Sequence, residues 1–176
     1  MNKSIKIVCI FLFSSPTLAS EYVYSSLQLG KATHKVDSNK MDNKPLAVGI
    51  NTAVLYGEED LKFGYNANIN YLTLDKNNGS FNSLSSDISP IISYHLTNNL
   101  NLYSKIGLSY TSTKYDLQGV GKTKDNSIGI TYGAGFNYVF KGNFFIGAEI
   151  KMNQTTFEYY DVENMSYLIN IGITNI

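Results

Sequence analysis

The sequence is poor in the residues on which soluble catalysis is usually built. It has one cysteine, two histidines, three prolines and no tryptophan among 176 residues. Charged residues make up 16% of the chain, against about 25% in an average soluble domain. The formal net charge is zero, so no basic field points to nucleic acid and no acidic field to a cationic partner. No apolar run reaches the ~20 residues that a spanning helix needs. What the chain has instead is 14 Tyr, 14 Gly and 43% hydrophobic residues, the composition of a surface that does not face water everywhere.

The first residues predict export. Lys3 and Lys6 precede an apolar stretch from Ile7 to Phe13, and Pro16-Thr17-Leu18-Ala19 supplies small residues for processing. Residues 1–20 therefore have the layout of a signal peptide, with cleavage expected after Ala19 or Ser20. Cys9 lies inside that segment, so the mature domain, 21–176, is expected to have no disulfide and no thiol chemistry. With no internal linker or low-complexity run, the mature chain is expected to be one domain.

Beyond the leader, hydrophobicity alternates with period two. In Leu61 to Thr73, one parity holds Leu61, Phe63, Tyr65, Ala67, Ile69 and Tyr71, and the other Lys62, Gly64, Asn66, Asn68 and Asn70. The stretch from Asn126 to Phe140 repeats the pattern, with Gly129, Thr131, Gly133, Gly135 and Asn137 on its small, polar face. Such alternation is the mark of a strand with two unlike faces. Eight strands are expected: Tyr22 to Ala32, Pro45 to Tyr56, Leu61 to Leu74, Leu84 to Leu96, Asn99 to Thr113, Asn126 to Phe140, Asn143 to Phe157 and Met165 to Asn175. Each is long enough to cross a bilayer, which takes ~9–11 tilted residues. Short links at Gly57 to Asp60, Thr97 to Asn99 and Lys141 to Asn143 contrast with longer polar ones at Thr33 to Lys44, Asp75 to Ser83, Lys114 to Asn126 and Glu158 to Asn164.

The direction of the two faces decides between a membrane barrel and a secreted, lipocalin-like ligand binder. Glycine weakens an exposed strand, whereas inside a narrow barrel it leaves room for bulky neighbours. The polar, glycine-rich face is therefore assigned to the interior and the apolar face to lipid. The expected fold is all-β, an eight-stranded antiparallel up-and-down transmembrane barrel in a bacterial outer membrane, with short turns and both termini in the periplasm. Pro90 falls within a strand; since proline removes a ladder donor, a bulge is expected there.

Two hairpins carry a family resemblance. Tyr132-Gly133-Ala134-Gly135-Phe136-Asn137-Tyr138, with Ile146-Gly147-Ala148-Glu149-Ile150 after a tight turn, is similar to the penultimate hairpin of small outer-membrane barrels of the OmpX/Ail and OmpA type. Leu96-Thr97-Asn98-Asn99-Leu100-Asn101-Leu102-Tyr103, followed by Ile106 to Tyr110, resembles their central hairpin. Such chains usually close with an aromatic residue; this one ends Thr174-Asn175-Ile176, although Tyr167, Ile169, Ile171 and Ile173 keep the alternation. The resemblance implies contact with outer-membrane lipid and lipopolysaccharide, passage through the barrel-insertion machinery, and surface adhesion or binding of a host protein through outer loops. Those activities depend on loop sequence and do not follow from the fold.

Candidate residues fall into two groups. Lys105 lies six residues past Asn99 and Glu149 six past Asn143, so two inward side chains should stand at similar height and pair across the lumen. Lys151 and Asp87 lie somewhat higher, and Lys62 lies low, near the turns. The expectation is a structural charge cluster in a lumen filled by side chains; a narrow channel is the competing reading. On the outer side, Phe81, Tyr115, Lys122, Lys124, Tyr159 and Tyr160 are candidate loop contacts. Enzymatic chemistry is not expected: His95 lies beside a periplasmic turn, and His34 begins an outer loop with Asp37 and Ser38, without the fixed geometry that a nucleophile and base require. Two distant histidines make no metal site, and no cofactor is expected.

Overall fold

Period-two strands whose apolar side chains point away from the chain's own interior cannot leave a free edge in lipid, because each unpaired backbone group there costs several kcal/mol. The chain meets this requirement by closing on itself. A computed structural model describes residues 22–37, 39–40, 44–57, 60–76, 79–117, 121–158 and 160–175. The strands are β1 (Tyr22–Val36), β2 (Asn39–Lys40), β3 (Leu46–Tyr56), β4 (Leu61–Lys76), β5 (Gly79–His95), β6 (Leu100–Leu117), β7 (Gly121–Val139), β8 (Phe144–Thr156) and β9 (Asp161–Asn175). Two-residue β2 folds back on the end of β1, and the other eight form the wall, each hydrogen-bonded to its neighbour in chain order. β1 meets β9 from Val23↔Asn175 to Val36↔Val162, which closes the barrel. The proposed leader, 1–20, lies outside the described residues.

The faces are inverted relative to a water-soluble barrel. Leu27, Ile88, Leu108 and Ile128 are 67, 67, 65 and 68% exposed. On the opposite parity, Gln28, Asn51, Asn66, Ser89, Lys105 and Glu149 are buried. An apolar outside and polar inside remove the lipocalin-like alternative, which needs the reverse. Tyr138, Phe140 and Phe144 form an exposed aromatic cluster at the periplasmic turn, with ring centroids 5.1 and 6.1 Å apart; such rings suit the interface between lipid and water. In that turn Gly142 has φ 92° and Asn143 φ 65°, left-handed values that these two residue types tolerate best.

The lumen is filled in three layers. Near the periplasm, Tyr22, Tyr24, Leu55, Tyr103, Val139 and Phe145 form an apolar plug. A charged and amide layer follows. Toward the outside, Ala32, Ala47, Leu72, Phe81 and Leu168 form a second apolar cluster, with Leu74 and Tyr115 packed against it. Glycines make the room: a Cβ on Gly135 would lie 2.7 Å from the Tyr103 hydroxyl, and one on Gly172 would lie 2.7 Å from the Phe145 ring.

Two expectations are corrected. The outer links are much shorter than the sequence suggested, because the strands run on above the lipid band: β4 reaches Lys76 and β5 starts at Gly79, β6 reaches Leu117 and β7 starts at Gly121, and β9 starts at Asp161. Above the membrane the outward face becomes polar and the inward face mixes Ser83 and Thr113 with Phe81 and Tyr115, so the alternation that marks a strand fades while the ladder continues. Pro90 also makes no bulge. Ile88↔Leu108 and Ile91↔Lys105 keep the same register on either side of it, so the ladder to β6 lapses for two positions without gaining a residue. Pairing on the β4 side continues through Tyr65↔Pro90.

Candidate functional site

Strand register brings the predicted interior charges together. Gly133 of β7 is opposite Lys105 on one side and Lys151 on the other, so two lysines flank a residue with no side chain. Each finds its own carboxylate. Lys105 Nζ is 2.9 Å from Glu149 Oε1, with both side chains fully buried, and it donates to Asn66 Oδ1 at 3.0 Å. Lys151 Nζ pairs with Asp87 Oδ2 and donates to Asn68 Oδ1 at 2.7 Å. Lys62 stands apart, half-buried near the periplasmic end, and donates to the Gly57 carbonyl at 3.1 Å.

Around these pairs lies an amide network that reasoning from charge alone missed. The Tyr103 hydroxyl donates to Glu149 Oε2 at 2.9 Å and accepts from Asn170 Nδ2 at 3.1 Å. Gln28 Nε2 donates to Asn170 Oδ1 at 2.9 Å and to Glu149 Oε2 at 3.2 Å. Asn68 Nδ2 donates to Gln28 Oε1, and Asn66 Nδ2 to Asn51 Oδ1 at 2.7 Å. The parity of the strands was the available signal, since each of these residues falls on an inward position. Buried charge is tolerated where its partners and remaining lone pairs are satisfied, and this network satisfies most of them from seven strands.

The outer candidates divide sharply. Phe81, expected in a loop, is 2% exposed and lies 4.2 Å from the His34 ring and 5.3 Å from Tyr115, centroid to centroid. His34, expected at the start of an outer loop, is fully buried. Its Nδ1 lies 2.6 Å from Asn164 Oδ1 and its Nε2 2.9 Å from the Tyr115 hydroxyl. Burial depresses the His34 pKa, and the Asn164 hydrogen bond opposes that only in part. Burial raises the Tyr115 pKa, and the nearby Asp125 charge adds to the rise. Tyr115 is thus a half-buried member of the outer plug. The reason is again parity: Phe81 continues the inward series of Ser83, Ser85 and Asp87, and His34 that of Tyr24, Ser26, Gln28 and Ala32.

Tyr160 stacks on Phe157 at 4.9 Å and donates to Asp125 Oδ2 at 2.6 Å. Lys124 is exposed on the outward face. Tyr159 lies outside the described residues; Lys122 lies in β7 opposite Asp116. His95, at the periplasmic end, sits 3.3 Å from the Asp60 carbonyl.

Buried ion pairs between two apolar clusters, inside a closed barrel with an apolar outer face, are the arrangement of a membrane wall protein, and comparison with known proteins agrees. The family described as outer membrane protein beta-barrel domain matches residues 6–174. The chain belongs to that family. Its place is accordingly the bacterial outer membrane. The barrel is similar in fold to Ail, the attachment invasion locus protein of Yersinia pestis, at 20% identity and a TM-score of 0.63, covering 90% of this chain and 100% of that one. The structure of Ail in complex with the heparin analogue sucrose octasulfate gives 18% identity and 0.61 over 87 and 99%. Neisserial surface protein A gives 18% identity and 0.58 over 86 and 96%. A sequence search of curated proteins returned no match.

Proposed function

We propose that this barrel is a non-enzymatic surface protein that contacts polyanions through the rim of its raised outer end. One observation carries the reading. On the β6–β7 hairpin, Lys114 stands directly opposite Lys124, both exposed and both on the outward face above Tyr110 and Ile128. Like charges directly opposite each other destabilise a sheet, and the barrel's closure does not need them. An anion bridging the two ammonium groups offsets that repulsion. Phosphates of lipopolysaccharide and sulfates of host glycans both have the required chemistry, and the complex of Ail with a sulfated sugar supports the second.

The rest of the assignment follows the same reading. Residues 1–20 direct export and are removed after Ala19 or Ser20; the barrel-insertion machinery then recognises the alternating end of β9. The Lys105–Glu149 and Lys151–Asp87 pairs, with Lys62 below them, serve as structural filling of the lumen.

Cells displaying the barrel should bind immobilised heparin, and Lys114→Gln with Lys124→Gln should lower that binding at least fivefold while the folded band on a non-boiled gel is unchanged. Raising salt to several hundred millimolar should abolish it, as expected for exposed charges. Equal binding by wild type and double variant would end the proposal.

A further inference from the structure

Two tyrosines on the outward wall direct their hydroxyls at sulfur. Tyr132 Oη donates to Met152 Sδ at 2.7 Å, and Tyr167 Oη donates to Met165 Sδ at 3.0 Å. Strand register gathers the four residues into one cluster: Tyr132 of β7 is opposite Met152 of β8, and Met152 is opposite Met165 of β9. Tyr167 follows Met165 two residues along β9, on the same face. Residues directly opposite each other have Cβ atoms about 4.5–5.5 Å apart, so the two thioethers are neighbours. A thioether is a weak acceptor, whereas a tyrosine at a membrane boundary ordinarily turns its hydroxyl to the wet side. Closure of the barrel requires neither contact, since the backbone ladders supply it.

The cluster lies where the apolar band meets water. On β8 the outward series Ile146, Ala148, Ile150 and Met152 turns polar at Gln154, and on β9 the series Ile171, Ile169, Tyr167 and Met165 turns polar at Glu163. Each methionine is thus the last apolar outward residue before the outer rim on its strand. Both are half-buried, so a small solute at the boundary can reach the sulfur. The chain has four methionines, and these are the two among the described residues. A polarizable sulfur with an O–H aimed at it, at the edge of water, has the makings of a reactive site.

We propose that Met152 and Met165 form a paired oxidation site that reduces hydroperoxide arriving from the outer aqueous phase, with Tyr132 and Tyr167 as hydrogen-bond donors to the leaving oxygen. The thioether lone pair attacks one peroxide oxygen, and an S–O bond forms as the O–O bond breaks. The tyrosine hydroxyl, already held at the sulfur, steadies the negative charge that develops on the departing oxygen. That oxygen takes the proton from the attacked one and leaves as water. Sulfur loses two electrons and the peroxide gains them, so one methionine sulfoxide and one water result, and the tyrosine is unchanged. Each sulfur reacts once. Oxidation turns a flexible apolar side chain into a polar one; at these two positions it lowers the polar rim by one row on β8 and β9, and the sulfoxide oxygen accepts the tyrosine hydroxyl in place of sulfur. The Lys114–Lys124 rim takes no part, so either proposal can fail alone.

The test is the rate of sulfoxide formation at each methionine, read by peptide mass spectrometry after timed exposure of the refolded barrel, in phosphatidylcholine vesicles, to hydrogen peroxide. Tyr132→Phe should slow oxidation of Met152 severalfold and leave Met165 at the wild-type rate; Tyr167→Phe should do the reverse. Both variants keep the ring, and the boiled and non-boiled gel checks that each is folded. Should one fail to fold, the other decides alone. Contacts that only pack the wall predict the opposite sign, because removing the hydroxyl frees the sulfur lone pair and leaves its rate equal or higher. An unchanged or raised rate at the methionine facing the substituted tyrosine, or equal slowing of both methionines by one variant, would overturn the proposal.

Discussion

Lys105 and Glu149 lie on strands separated by β7, yet their charged atoms are 2.9 Å apart because Gly133 stands between them without a side chain. A Cβ added at Gly133 would come within 3.1 Å of Glu149 Oε1 and 3.2 Å of Lys105 Cε. The pair is therefore sized to the glycine. Removing one partner strands the other: Glu149→Ala leaves Lys105 with amide partners only. Breaking a buried pair in this way costs about 3–5 kcal/mol. Urea unfolding in detergent should show that loss. The other two layers of the lumen remain in place, so the variant should show no porin-sized current in planar bilayers; a large steady conductance would contradict a packed interior.

Tyr103 tests the same layer with a smaller change. Its hydroxyl both donates to Glu149 and accepts from Asn170, so Tyr103→Phe deletes two hydrogen bonds and leaves a buried carboxylate oxygen and an amide short of partners. The expected cost is about 1–3 kcal/mol, read from the same unfolding curves. Combining it with Glu149→Ala should cost less than the sum of the two, since the variants share the Tyr103–Glu149 interaction.

The middle of the barrel was legible in the sequence and its outer end was not. Lys105 and Glu149 could be placed by counting six residues up from their turns, because lipid enforces an apolar residue at every second position and so displays the register. Above the lipid that constraint ends. Around Asn82, Ser83, Thr113 and Lys114 both faces are polar, and the segments read as loops although they pair residue for residue. Parity carried on unseen, which is why Phe81 and His34 read as exposed.

Phe81 provides the direct check of that correction. As a loop residue, Phe81→Ala would change stability by no more than about 0.5 kcal/mol. As a ring packed on His34, Tyr115 and the Ala32, Ala47, Leu72 and Leu168 cluster, its removal should cost about 3–5 kcal/mol. The temperature at which the folded band disappears on a gel should fall accordingly, and hydrogen exchange should rise at the outer ends of β5 and β6.

His34 makes the outer plug sensitive to acid. Folding holds its pKa below the ordinary 6.5 because the ring is buried, with Asn164 on one nitrogen, Tyr115 on the other, Phe81 against its face and Asp125 behind Tyr115. A base with a depressed folded pKa favours the native state when neutral. Its contribution is therefore fully present above about pH 6.5 and lost as pH falls from there toward the folded pKa, where the unfolded chain takes up a proton that the folded one refuses. His95 is depressed too, chiefly by burial, and contributes in the same direction, so the wild-type profile alone cannot assign the effect. The difference between wild type and His34→Gln does. Thermal midpoints measured from pH 8 to pH 4.5 should fall more steeply below 6.5 in wild type than in the variant, and parallel curves would remove His34 as the acid-sensitive group of the plug.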